Sequence, residues 1–302
     1  MTIRKGKINW IHITNPKKEE LEALRKEFKF HPVVLDQIGS TSAHSKVEIY
    51  DEYLFIVLHL PIYDVTERVS RKGEIDFLIT NNTLISIQYE KLEPFSVIEE
   101  KIEDDPDYKD RLLGGDTARL LYYLIEAGVI FSLRQLRHID EKVEDIRNNI
   151  FKHEDQQLLE KISYTKRDLL SYYLISKSQT GIFNSLDKIG VQFFGEKSKA
   201  YFFDLQGDFL KVTQLCENLK ETIEAFEHTN AQLLTIHMTK VMQRFSVLAF
   251  LTFPIMVFLS LFSINTSSRP IVGMPYDFWI LAGIVVFAIF FMTLIFKKKG
   301  WL

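Results

Sequence analysis

Apolar and polar positions are unevenly distributed along this chain, and the imbalance is greatest near the C-terminal end. Residues 245–264 contain no charged side chain, and neither do residues 278–296. Each run holds about 20 residues and, as a helix rising about 1.5 Å per residue, spans a hydrocarbon layer about 30 Å thick. Two such runs in succession predict a first and a second transmembrane helix; the alternative is a pair of buried core helices in a soluble domain. The stretch between them, within LFSINTSSRPIVGMPYDFW, is polar, and residues 265–277 read as an external loop. Lys240 and Arg244 precede the first run, while Lys297, Lys298 and Lys299 follow the second. Basic flanks mark the cytosolic side, so both ends of the hairpin, including a basic tail at 297–302, are expected in the cytosol. Arg269 in the loop is a weak counter-signal.

Ahead of the hairpin the periodicity changes twice. Residues 1–115 read as a mixed α/β domain. KINWIHIT, YLFIVLHL, EIDFLIT and TLISIQYE are short runs rich in β-branched and aromatic residues, as strands are. Asn81-Asn82 predicts a turn between the last two. NPKKEELEALRKEF and PFSVIEEKIED read as helices opened by proline. Strand order is not legible. Residues 116–200 carry helical spacing and predict two long antiparallel helices turning near FKHED.

Residues 201–244 predict a stalk helix that continues into the membrane. Leu205, Phe209, Val212, Cys216, Leu219, Ile223, Phe226, Asn230, Leu233 and His237 alternate at spacings of four and three, a heptad seam. No proline interrupts residues 201–253, and Gly207 is the last glycine before the span. A helix from near Asp208 to Ile264 would be roughly 85 Å long. Continuity with the span favours a stalk shared between subunits; the same spacing also suits a helix packed on its own domain.

Composition removes several classes of function. Across 302 residues the formal net charge is −3, which offers no basic field for nucleic acid. The single cysteine, Cys216, allows no internal disulfide. The opening MTIRKGKINW has no apolar core of a secretion signal. There is no Walker loop, HExxH, paired-cysteine motif or GxSxG, so no enzyme and no organic cofactor is expected.

Several segments, in order, resemble the CorA-type magnesium transporters. HPVVLDQI from His31 is similar to the family's HPLVLEDI, and KVEIYDEYLFIVLHLPIYD from Lys46 matches a second family stretch. YFFDLQGD from Tyr201 looks like the start of its stalk helix, and FKKKGWL resembles its basic terminus. The departure is at the family's Gly-Met-Asn signature. Counted from Pro254, which resembles the mid-span proline, Ser263-Ile264-Asn265 stands there, while Gly273-Met274-Pro275 falls several residues too late. Thr239 replaces the usual inner-pore asparagine and Gln243 the usual lysine.

The resemblance implies an α+β protein with long stalk helices and a two-helix hairpin. It would form a homo-pentamer in the cytoplasmic (inner) membrane and carry Mg²⁺, Co²⁺ or Ni²⁺. Ser263, Ile264 and Asn265 would form the pore mouth, and Thr239, Met242, Phe245, Phe253, Met256 and Ser260 would line the pore. Mg²⁺ sheds water reluctantly, and amide oxygens suit a hydrated ion because they accept from its waters without a trapping charge. Asp36, Asp204 and Asp208 would bind regulatory cytosolic Mg²⁺ between subunits, weakly, because Asp36-Gln37 replaces the family's Glu-Asp. Two alternatives remain open: a zinc transporter like the ZntB branch, and a non-conducting sensor or assembly protein.

Overall fold

The structure, a computed structural model, describes residues 1–152, 156–264 and 271–300. It divides into two compact units, Met1–Glu227 and His228–Leu302.

The first unit is built on a six-stranded sheet: β1 (Thr2–Lys5), β2 (Asn9–Thr14), β3 (Lys46–Ile49), β4 (Leu54–Asp64), β5 (Val69–Ile79) and β6 (Thr83–Gln88). The spatial order is β1-β2-β6-β5-β4-β3. Neighbours are antiparallel except β2 and β6, which pair in parallel from Asn9↔Thr83 to Thr14↔Gln88. The four strands legible in the sequence are β2, β4, β5 and β6; β6 is buried throughout and the other three along most of their length. Burial on both faces explains their near-continuous apolar runs. The edge strands β1 and β3, each of four residues, carry too few apolar positions to stand out. At Asn81-Asn82 the chain turns as expected, with the Thr80 N–H donating to the Thr83 carbonyl at 2.8 Å.

One face of the sheet buries Phe55, Val57, Leu78, Ile85 and Ile87 with Leu24 of α1 (Lys18–Glu27) and Val34 and Leu35 of α2 (Pro32–Gln37). HPVVLDQI folds as α2 because Pro32 occupies the first turn and the His31 ring accepts from the Val33 N–H at 3.3 Å. The opposite face takes α3 (Glu93–Asp104), whose Phe95 meets Phe77 edge-on at 6.4 Å. After α4 (Pro106–Leu113) come the long helices α5 (Thr117–Asn149) and α6 (Gln156–Phe194). Asp116 caps α5 by accepting from the Arg119 N–H at 2.9 Å. At Gly128 of α5 a Cβ would lie 3.2 Å from Leu60, so glycine lets the helix approach β4. Gln179 of α6 accepts from the His59 N–H at 3.1 Å, tying α6 to the same strand.

The next helix, α7 (Lys199–Ser263), runs for 65 residues. It starts at Lys199, two residues before the expected 201, directly after a 3-10 turn at Glu196–Ser198, and Gly207 lies inside it. An interior glycine costs about 1 kcal/mol, which burial of Phe202 and Leu205 beside it offsets. The Phe202 ring fills the space above Gly190 of α6, where a Cβ would sit 2.4 Å from it, and Phe209 stacks on Phe183 at 4.3 Å. Of the two readings of the seam, these contacts favour a helix packed on its own domain along this stretch. Leu205, Phe209, Val212, Cys216 and Ile223 are all buried within the chain's own first unit. A heptad stripe reads the same whichever surface covers it, and here that surface is in cis.

The second unit holds the rest of α7 and α8 (Asp277–Lys298). Asn230 is buried, Leu233 half-buried and His237 exposed. Only 6% and 0% of the two apolar windows are buried in the chain. Core helices would be covered, so the buried-pair alternative does not hold.

Asp76, fully buried on β5, is the most unusual polar group in the sheet. Its Oδ2 accepts from the Tyr89 hydroxyl at 2.7 Å, while no donor among the described residues reaches Oδ1. Burial, with Glu74 nearby, pushes its carboxyl up to about 8. The folded value lies above the ordinary one, so this group's contribution to stability is complete in acid and lost as pH rises through about 8. Asp76→Asn is expected to flatten the pH dependence of the unfolding midpoint and to exceed the parent protein in stability above that pH, measured by circular dichroism from pH 6 to 10.

Candidate ion-conduction site

Residues 239–263 of α7 divide into two faces. At about 100° per residue, Thr239, Met242, Phe245, Phe253, Met256, Ser260 and Ser263 fall within an arc of about 120°. All seven are exposed in the single chain. Gln243, Val247, Leu251, Ile255, Phe258 and Phe262 fall on the opposite arc and are buried or half-buried, while Lys240, Arg244, Pro254 and Leu261 on that arc are exposed. The seven stripe residues carry hydroxyls at both ends and apolar side chains between, and the same arc also holds exposed Ser246, Ala249 and Val257. Thr239 donates to the Thr235 carbonyl at 2.8 Å and Ser260 to that of Val257 at 3.0 Å. Those bonds leave each hydroxyl's lone pairs available as acceptors. Leu248, Phe250 and Leu259 are equally exposed and fall outside the arc.

Ser263 is the last residue of α7 and Ile264 follows it, exposed. Asn265 lies outside the described residues. Gly273 and Met274 belong to the turn that opens α8: Gly273 has φ +96°, and its N–H donates to the Asp277 carboxylate at 3.1 Å. That turn gives Gly273 a conformational reason of its own.

The three acids proposed from the sequence do not converge within one chain. Asp36, on α2, is 78% exposed and lies 3.5 Å from Arg25. Asp208 pairs with Lys211 at 2.6 Å. Asp204 accepts from the Tyr122 hydroxyl at 2.8 Å, and that hydroxyl also lies 2.9 Å from Glu126. A phenol has one proton to donate, so two carboxylates share it. Burial and these two acids raise the Tyr122 pKa. Among the described residues no three His, Cys, Asp or Glu side chains are grouped closely enough to hold a metal. Tyr122 and Glu126, one turn apart on α5, escaped the sequence reading because their link to Asp204 spans 82 positions.

The family model for the CorA-like Mg²⁺ transporter protein matches residues 5–298. The chain belongs to this family. The cobalt/magnesium transport protein CorA of Thermotoga maritima is 20% identical over 97% of this chain and 83% of its own length. The complete structure of the CorA magnesium transporter from Methanocaldococcus jannaschii superposes with a TM-score of 0.87, covering 100% of this chain and 94% of that one at 20% identity. The ZntB cytoplasmic domain of Vibrio parahaemolyticus matches 76% of this chain and 89% of its own with a TM-score of 0.63 at 13% identity. At these identities the structural likenesses establish the fold: an N-terminal α/β domain, long helices and two apolar helices that fit a membrane.

In this CorA-family chain the shared hydroxyl separates two acids that would otherwise repel. Tyr122→Phe removes the proton donor and leaves Glu126 facing Asp204. The variant is expected to unfold a few degrees lower at pH 7, with the loss narrowed at high ionic strength, which screens the two carboxylates. Thermal unfolding of the purified protein at low and high sodium chloride checks this.

Proposed function

We propose that the chain assembles as a homo-pentamer in the cytoplasmic membrane and conducts hydrated Mg²⁺, with Co²⁺ and Ni²⁺ as further cargo, through a path lined by α7. The observation that carries this reading is the exposed stripe from Thr239 to Ser263, on a chain matched almost end to end by a Mg²⁺ transporter family. Polar oxygens at its two ends suit a hydrated cation, and Met242 and Phe245 give an apolar constriction that closes by dewetting. One amide from Asn265 holds an ion poorly; five around an axis make a collar. Ser263 keeps the helix ends slim where the family carries glycine, and Ile264 keeps an apolar side chain where it carries methionine. Both termini lie in the cytosol on this reading, with 265–277 outside, as the basic flanks favour.

Conduction of a divalent cation needs a brake. Two charges crossing 100 mV gain roughly 4.6 kcal/mol, enough for about a thousandfold accumulation. Asp36 of one subunit, with Asp204 and Asp208 of the next, supplies carboxylates for cytosolic Mg²⁺ that holds the pathway shut. Gln37 reduces the charge of that site, and the Tyr122 proton competes for Asp204. Release of the brake therefore requires less depletion than in relatives with the full acid pair.

Purified protein in liposomes, with a potassium-diffusion potential and an internal Mg²⁺ dye, tests the proposal. Mg²⁺ influx that rises with negative-inside potential is expected, falling at least tenfold in Asn265→Ala. The double variant Ser263→Gly/Ile264→Met is expected to conduct faster than the parent. Zn²⁺ flux driven by a proton gradient, in the absence of Mg²⁺ flux, would instead establish a ZntB-like carrier. No flux of any divalent ion would leave a sensor or assembly role.

A further inference from the structure

A cavity of about 810 Å³ opens in the first unit between the β4–β5 turn and the long helices α5 and α6. That volume suits a molecule of drug size and exceeds what a lone ion needs. It plays no part in the conduction reading. Two tyrosines line it, Tyr63 at the end of β4 and Tyr164 on α6.

Most of its charge is already spoken for. Asp168 is fully buried, accepting from the Ser70 N–H at 2.8 Å, the Ser70 hydroxyl at 2.7 Å and Lys142 at 2.8 Å. The Lys142 ammonium also lies 4.1 Å from the centre of the Tyr63 ring. Lys161 pairs with Asp145 at 2.9 Å. Glu141 is largely solvated and lies 3.4 Å from His138. Arg68 remains. Its guanidinium stands 6.0 Å from the Tyr164 ring, which Arg167, held by the Glu67 carbonyl, approaches at 5.7 Å, and among the described residues Arg68 has no carboxylate partner. Neither acid close to it in sequence forms an ion pair with it: Glu67 is solvent-exposed, and Asp64 is taken by the N–H groups of Thr66 and Glu67 and by Arg71.

The backbone makes Arg68 more informative. Asp64 and Val69 are the last paired residues of the hairpin, so 65–68 form its loop, and Arg68 closes the loop with φ +53°. Glycine or asparagine takes that left-handed conformation at lower cost. An arginine there forgoes the easier backbone conformation and brings a planar cation without a carboxylate partner to a cavity lined by two tyrosines. A guanidinium fork recognises phosphate or carboxylate oxygens, and a tyrosine face accepts a flat ring.

We propose that this cavity is a binding site for a small anionic ligand carrying a flat ring, of the nucleoside monophosphate class, with its anion on Arg68 and its ring against the tyrosines. Lys142 and Lys161, each neutralised by its own aspartate, hold the walls together and leave Arg68 as the anion's partner.

The test uses the full chain in detergent and adenosine 5′-monophosphate as probe, with binding read by calorimetry and by the thermal midpoint. The nucleotide is expected to bind at millimolar concentration or tighter and to raise the midpoint. Arg68→Gly should weaken binding at least tenfold while matching or exceeding the parent's midpoint without ligand, because glycine relieves the turn. Tyr164→Leu should weaken binding as well. Adenosine alone and inorganic phosphate alone should each bind at least tenfold more weakly than the nucleotide. Absence of binding, unchanged affinity in Arg68→Gly, or equal affinity for either fragment would overturn the proposal. None of these readings involves ion flux, so their failure is separate from failure of the transport reading.

Discussion

Inside a hydrocarbon layer a peptide N–H or C=O finds no water, and each unsatisfied group costs several kcal/mol. A chain that enters such a layer must bring its backbone partners with it. The ladder of α7, Lys199–Ser263, meets that demand through the first apolar run, and α8 meets it through the second. Pro254 is the exception inside α7: it has no N–H to give the carbonyl four residues earlier and marks a local weakness in the ladder. Once the backbone is satisfied internally, side chains decide what each face meets.

At its other end α7 is anchored by packing. Phe202 over Gly190, Phe209 on Phe183, and the buried run from Leu205 to Ile223 bind it to its own domain. The same domain is stiffened by α6, which bonds to the sheet at His59 and Ser70. The α/β sheet, α6 and the start of α7 are therefore one packed body.

How much of this could be read from the sequence depends on whether the determining partner is local. Both apolar helices were legible because twenty uncharged residues need no partner to be recognised. Strands β4, β5 and β6 were legible because burial on both faces leaves long apolar runs, whereas TIRK and KVEI are edge strands with mostly polar or half-exposed positions. The seam on α7 was legible as a stripe, but its partner was not, since heptad spacing does not encode which surface covers it. Helix α7 begins at Lys199, two residues before the expected stalk at 201, and Gly207, one boundary the chain offered in one dimension, is an interior position beside buried Phe202 and Leu205 in three. The stripe proposed for the pore follows helical period, so its residues share a face. Tyr122 and Glu126 were invisible beside Asp204 because nothing along the chain links α5 to α7. The strain at Arg68 was equally hidden, because a backbone angle has no signature in a charged loop.

Cys216 gives the packing of α7 a practical use. It is the chain's only cysteine, it is fully enclosed, and burial pushes its thiol up to about 12. A thiol kept protonated and enclosed is a poor nucleophile, so alkylating reagents pass the native protein by. Cysteines introduced elsewhere for spectroscopic labels can thus be modified without first deleting the natural one. Any alkylation of Cys216 itself becomes a clock for how often the helix lifts from its bed.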